Sequence, residues 1–224
     1  DFIYVINLDR RPEKYQQTLD ELKAFGIEPY RFSAIDGWTL SNEVIEDVGL
    51  KYRPGMTPLF ATSFPPDSKG ATNSNEWMQE YGKTYFAHGM YRGVIGCALS
   101  HISVLKDAWE GGYETIWVME DDIEVCRDPH ELSSLIQELD VWVGKESWDV
   151  LLTNPDYRGP SGMYCPASGA SKRPDLDCSF EARYSEPYTK NRQIHPSFKE
   201  ASERFGAHSM IIRRAGGGIV GSCL

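Results

Sequence analysis

The chain opens on an apolar run from Phe2 to Leu8, broken only at Asn7. Without polar alternation, such a run predicts a strand covered on both faces and therefore central in its sheet. Pro12 then opens a helix where its missing N–H costs nothing; Tyr15, Leu19 and Leu22 recur at helical spacing, and Gly26 stops it. Tyr30–Ile35 predicts a second strand, closed by the turn signal Asp36–Gly37. From Ser41 to Tyr91 the pattern weakens to loop signals at Arg53–Gly55, Phe64–Pro66 and Asn73–Asn75, with a short helix near Val44–Val48. Periodicity returns with Ile95, Ala98, Leu99, Ile102, Leu105 and Trp109, predicting an amphipathic helix. Ser103, Lys106, Asp107 and Glu110 fill its polar face, and Gly111–Gly112 ends it. Thr115–Met119 is β-branched and aromatic, a buried strand that runs into Glu120, Asp121 and Asp122. Asp128–Pro129–His130–Glu131 reads as a helix start, with Asp128 as N-cap and a core face of Leu132, Leu135, Ile136 and Leu139. Trp148–Thr153 and Ser209–Ile212 predict two more strands. Strands alternating with helices predict an α/β fold.

Between Asn154 and Gly206 the chain is rich in Pro, Gly, Ser and Tyr and has little period. A stretch of that length predicts a lid or substrate segment. Its aromatics, Tyr157, Tyr164, Phe180, Tyr184 and Tyr188, read as anchors holding the loop to the body, with sugar-stacking platforms as the alternative. The organisation expected is an α/β core over 1–153, an irregular acceptor or lid segment over 154–206, and a return strand and tail over 207–224 in the same domain.

Composition excludes several classes. A hydrophobic content of 41% in 224 residues rules out global disorder. No apolar run approaches the ~18 residues of a transmembrane helix. Asp1 is followed at once by a strand, so no leader is expected. A net charge of −10 argues against nucleic acid and against a polybasic membrane anchor. The five cysteines show no C-x-x-C pair and no zinc spacing. Cys165 and Cys178 are expected as free thiols in a reducing compartment and are close enough in sequence to bridge in an oxidising one.

The acidic triplet carries the chemistry. Three adjacent carboxylates repel one another, so a folded chain tolerates them on a solvated turn or around a cation. These three fall just beyond the carboxyl end of a strand, where open α/β sheets bind ligands. Oxygen ligands there suit Mg²⁺ or Mn²⁺ with positions left for phosphate oxygens. The implied chemistry is metal-assisted handling of a diphosphate or phosphodiester, which fits a nucleotide-sugar transferase or a metal-dependent phosphodiesterase. No glycine-rich phosphate loop is present, and Gly93–Gly96 is not one, which disfavours kinases and dehydrogenases.

Four blocks, in order, resemble glycosyltransferase family 25, which includes lipopolysaccharide galactosyltransferases and collagen β-galactosyltransferases. They are Val5–Pro12 (VINLDRRP), Ala34–Gly37 (AIDG), Gly96–His101 (GCALSH) and Val118–Asp122 (VMEDD). The resemblance implies a GT-A nucleotide-diphosphosugar fold, a Rossmann-like mixed sheet flanked by helices. It also implies a divalent ion and hexose transfer from a UDP-sugar, UDP-galactose or UDP-glucose, with inversion. Acceptors in such a family are glycans, lipid-linked oligosaccharides or hydroxylated proteins. The expected compartment is the cytoplasm, with peripheral membrane association, or alternatively the secretory lumen. Gly206–Ile212 resembles the family's late strand more loosely. Two departures stand out: Val94 replaces an acid usual in the family, and Gly216–Gly218 would destabilise its late helix. They motivate a catalytically silent sugar-nucleotide or glycan-binding module as the alternative function.

Under this resemblance the metal ligands are Asp122, then Glu120, whose side chain leaves the strand end on the same side, and His208. His208 reads equally as a structural histidine. Asp121 faces the other way, toward a helix cap or the ribose. Asn7, Asp9, Arg10 and Arg11 leave the first strand where base and diphosphate are expected, with an arginine on phosphate. Asp36 is placed to accept from ribose or uracil, or simply to form its turn. Ser100 and His101 are assigned to the donor site, His101 toward the acids or the donor, with helix packing as the alternative. The catalytic base is assigned to Asp156, with Asp177, Glu181 and Glu186 as other candidates.

Overall fold

The computed structural model describes residues 2–56, 60–65, 67, 76–86, 89–154, 192–200 and 206–214. In chain order these form β1 (Phe2–Asn7), α1 (Pro12–Lys23), β2 (Tyr30–Ser33), α2 (Asn42–Val48), β3 (Leu50–Lys51), β4 (Phe60–Ala61), β5 (Glu76–Trp77) and β6 (Thr84–Tyr85). There follow α3 (Arg92–Glu110), β7 (Thr115–Glu120), α4 (Glu131–Val143), β8 (Val150–Leu152), β9 (Arg192–His195), β10 (Phe198–Glu200) and β11 (Ser209–Arg213). Five strands make a mixed sheet in the order β2-β1-β7-β11-β8. β1 runs parallel to both β2 and β7, while β11 is antiparallel to β7 and β8. This is the Rossmann-like mixed sheet of a GT-A type fold.

Strand alternation decides the two faces. Tyr4, Ile6, Ile116 and Val118 point to one side and pack with Val104 and Ala108 of α3. Val5 and Met119 point to the other and pack with Leu22 of α1 and Ile27. The apolar run of β1 is thus divided between two cores, as its central place requires.

Helix α3 corrects the sequence reading of its buried face. Ile95 of the expected stripe is buried, but Ile102 and Trp109 are exposed, and Gly96, Ser100, Val104 and Ala108 form the rest of the covered line. Small residues win this face because the helix lies close against the β2 exit: a Cβ on Gly96 would sit 2.5 Å from Gly37 N and Ile35 O. Ser100 Oγ fills the next turn, accepting from Ile35 N and donating to Gly96 O. Trp109 instead lies beneath the guanidinium of Arg214, 3.6 Å from its centroid.

Three further boundaries differ. Asp128 accepts from His130 N in a tight turn, and α4 starts only at Glu131, because i→i+3 bonds precede the first full helical turn. The weakly patterned stretch 41–91 contains α2 and the pairs β3–β6 and β4–β5, around Tyr52, Met56, Ala61, Met78 and Tyr85. Ile45 and Phe86 fasten it to Ile95 of α3. Within the segment expected as irregular, β9 and β10 pair as an antiparallel hairpin. It meets α4 through His195 Nε2, 3.5 Å from Glu138, and through the His195 ring beside Trp142. The other expectations for that segment, and those for the tail beyond Arg214, fall outside the described residues.

Candidate functional site

The site gathers where β1 and β7 end side by side. Their register pairs Ile6 with Glu120, so Asn7 comes level with Asp121. On the far side of β7, Ser209 of β11 pairs with Met119, and Glu120 N donates to His208 O at 2.9 Å. Backbone pairing alone therefore brings the strand-end acids between Asn7 and His208.

Glu120 shares a face with Val118 and turns toward α3. There Oε1 lies 3.1 Å from His101 Nε2 and receives the Cys97 thiol at 3.5 Å, while Oε2 lies 3.3 Å from His208 Nδ1. Asp122 Oδ1 is 3.6 Å from the same His208 nitrogen. Ligand atoms of Glu120, Asp122 and His208 all fall within 4.8 Å of one another, and so do those of Cys97, His101 and Glu120. The contact with His101, then the charges of His101 and His208, hold the Glu120 carboxyl below its ordinary value against the opposing effect of burial. Burial, followed by the Glu120 charge, pushes the Cys97 thiol up to about 12.

Asp121 turns to the α1 side and meets a polar network. Asn7 Nδ2 donates to Asp121 Oδ2 at 2.6 Å and to Arg11 O at 2.9 Å, and Asn7 Oδ1 accepts from Arg31 Nε at 2.8 Å. Arg31 also reaches Asp9 Oδ1, and Ser33 Oγ reaches Asp9 Oδ2, each at 2.8 Å. These two contacts, Ser33 first, lower the Asp9 carboxyl. Arg10 Nε sits 2.8 Å from Asp36 Oδ2, and Asp36 Oδ1 accepts from Trp38 N. Among the described residues Arg11 has only a long contact, 3.9 Å to Glu13, and both Arg10 and Arg11 remain largely exposed.

The structure thus draws Glu120, Asp122, His208 and His101 into one cluster and Asn7, Asp9, Asp121, Arg10 and Asp36 into an adjoining band. Two of the expected donor residues are buried as well as engaged internally. Ser100 is fully buried and locks α3 to the β2 exit. Asn7 is buried with every polar atom engaged, so it organises the edge without presenting an open group. Asp156, Asp177, Glu181 and Glu186 lie outside the described residues. Sequence reasoning missed Arg31 and Cys97. Arg31 gave a signal as a lone cation inside a short strand; Cys97 gave one by standing four residues before His101 on a helix.

Comparison with known proteins agrees with this architecture. A chain from Aedes aegypti named "Glycosyltransferase 25 family member" is 29% identical over 149 residues, 66% of this chain and 20% of that protein. Proteins of mouse and human named "Inactive glycosyltransferase 25 family member 3" are each 26% identical over 151 residues, 67% of this chain and 21% of theirs. This chain therefore spans about a fifth of the length of the curated relatives it matches. The model described as glycosyltransferase family 25 (LPS biosynthesis protein) matches residues 1–148 of the 224. The chain belongs to glycosyltransferase family 25.

Proposed function

We propose that this chain is the nucleotide-sugar domain of a metal-dependent, inverting glycosyltransferase. It would move a hexose, galactose or glucose, from a UDP-sugar to a hydroxyl of a glycan, a lipid-linked oligosaccharide or a hydroxylated protein. One observation carries this reading: two carboxylates and an imidazole, Glu120, Asp122 and His208, converge at the carboxyl edge of the sheet. Two hard oxygen donors with one nitrogen fit Mn²⁺, and Mg²⁺ less well. Such an ion, when bound, supplies positive charge against the charge that grows on departing UDP. Arg10 and Arg11 stand one strand away, exposed and close enough in sequence to act together on a diphosphate. Asp121 and Asn7 hold that edge in register, and Asp36 is placed beside Arg10 for the ribose or base. A carboxylate takes the acceptor proton as the hydroxyl attacks, and Asp156 is the residue assigned to that role.

A second reading, a sugar-nucleotide-binding module without turnover, is favoured by the names of the mouse and human relatives. Val94, exposed on the first turn of α3, is the residue that would account for it. Incubation with a panel of UDP-sugars and candidate acceptors, with and without Mn²⁺, separates these. Metal-dependent UDP release with product formation supports the transferase. Tight binding without release supports the silent module, and cleavage to a sugar phosphate would move the chemistry to a phosphodiesterase.

A further inference from the structure

Cys97 and His101 lie one turn apart on α3, and both reach the same oxygen of Glu120: Sγ at 3.5 Å and Nε2 at 3.1 Å. The other oxygen of that carboxylate faces His208. Glu120 therefore serves two donor sets of different hardness, one with a thiol and an imidazole, the other with a second carboxylate. Tetrahedral zinc, with bonds of about 2.0–2.3 Å, sets its ligands about 3.3–3.8 Å apart. The separations to Glu120 Oε1 lie close to that spacing, and all three ligand atoms fall within 4.8 Å of one another.

We propose that Cys97, His101 and Glu120 Oε1 form a separate site for a thiophilic divalent cation of the zinc class. This goes beyond the transferase reading and does not depend on it. Three protein ligands leave a fourth position open to water or a ligand oxygen. The sulfur selects Zn²⁺ or Cd²⁺ over Mn²⁺, while the carboxylate pair favours the harder ion. Because Glu120 is common to both sets, filling one site changes the affinity of the other. On binding, the thiol gives its proton to solvent and sulfur bonds to the cation, with no change in oxidation state.

Cd²⁺ titrated into the metal-free protein reads the site directly through the ultraviolet thiolate-to-cadmium charge-transfer band. One equivalent should develop the band in the wild type. Cys97→Ser should abolish it, and His101→Ala should raise the midpoint by about tenfold or more, as loss of one ligand implies. Asp122→Asn, which touches only the harder set, should retain the band; its loss there would overturn the separation of the two sites. Absence of the band in wild type, or full amplitude in a Cys97→Ser protein with native circular dichroism, would overturn the proposal. Should Cys97→Ser fail to fold, an unchanged midpoint in folded His101→Ala overturns it instead.

Discussion

Asn7 Nδ2 and Asp121 Oδ2 meet at 2.6 Å, joining the end of β1 to the middle acid of the strand-end triplet. The same amide donates to Arg11 O and accepts from Arg31, so one buried residue satisfies three elements at once. Removing it takes a donor from a carboxylate and a carbonyl and an acceptor from Arg31, which keeps Asp9. Asn7→Ala should lower stability by about 2–3 kcal/mol, the loss of three hydrogen bonds made by one buried side chain. Asn7→Asp should be worse, since it sets a second carboxylate against Asp121. Urea denaturation checks both, and a loss below about 0.5 kcal/mol for Asn7→Ala would show that the network contributes little.

Two glycines on one helix should answer oppositely to alanine. At Gly96 a Cβ would meet Gly37 N and Ile35 O at 2.5 Å, and both are backbone atoms that cannot rotate away. At Gly93 it would meet nothing within 4 Å. Gly96→Ala should therefore destabilise by about 1–3 kcal/mol through overpacking. Gly93→Ala should be neutral or stabilise by up to about 1 kcal/mol through helix propensity. Thermal unfolding of the pair tests this, and equal shifts would mean that α3 does not approach the β2 exit so closely.

That contrast also shows where sequence reading reached its limit. The central place of β1 was legible because an apolar run without alternation has to be covered on both faces, whereas the order of its neighbours was not. The acids of β7 were legible because strand alternation fixes which of Glu120 and Asp121 turns to each side. The buried line of α3 was not, since Gly96, Ser100 and Ala108 are selected for small size and carry no hydrophobic signal. The β9–β10 hairpin escaped because Arg192–His195 and Phe198–Glu200 are short, mixed in polarity and separated by two residues without a glycine. Cys97 escaped because a thiol and an imidazole four apart on a helix gain a third partner only through tertiary packing.

Arg213 and Asp140 offer a pH test away from the site. Arg213 is buried, donates to both Asp140 oxygens at 2.6 and 3.0 Å, and lies 4.0 Å over the Trp148 ring. The Arg213 contact, reinforced by Trp148 Nε1, holds the Asp140 carboxyl below its ordinary 3.8. A depressed native value means stability that is fully present above about pH 4 and is lost as pH falls through the native pKa. Asp140→Asn should flatten that acid limb. At neutral pH it should cost about 2–4 kcal/mol, because the guanidinium stays buried without its counter-charge. An unchanged acid limb in the variant would remove Asp140 from the list of groups that govern acid stability.

Asp122 tests the metal reading with little risk to the fold. Its side chain is 53% exposed and shares His208 with Glu120. An amide is a poorer ligand for a hard cation than a carboxylate, and removing one of three crowded charges relieves repulsion. Asp122→Asn should therefore weaken Mn²⁺-dependent UDP binding by about tenfold or more while the metal-free unfolding temperature stays near wild type. Calorimetric UDP affinity that keeps its full Mn²⁺ dependence in this variant would take Asp122 out of the coordination shell.

The arginines after β1 test how the diphosphate is held. Chain direction carries Arg10 and Arg11 past the carboxyl edge of the sheet, one strand from Glu120 and Asp122. Arg10 already holds Asp36 at 2.8 Å, so engaging a phosphate means sharing or breaking that pair. Among the described residues Arg11 has only the 3.9 Å contact to Glu13 and is the freer guanidinium of the two. A diphosphate between them and a cation would have positive charge on both sides. Replacing both arginines with alanine should raise the UDP dissociation constant by about tenfold or more, the loss of at least one charge-assisted contact. Arg11→Ala alone should account for most of it, since Arg10 gives up an existing partner to bind. Uridine has no phosphates and should be weakened far less, and added salt should narrow the gap between the two ligands through screening. Equal losses for UDP and uridine would mean that these arginines shape the base pocket, leaving the phosphates to other residues.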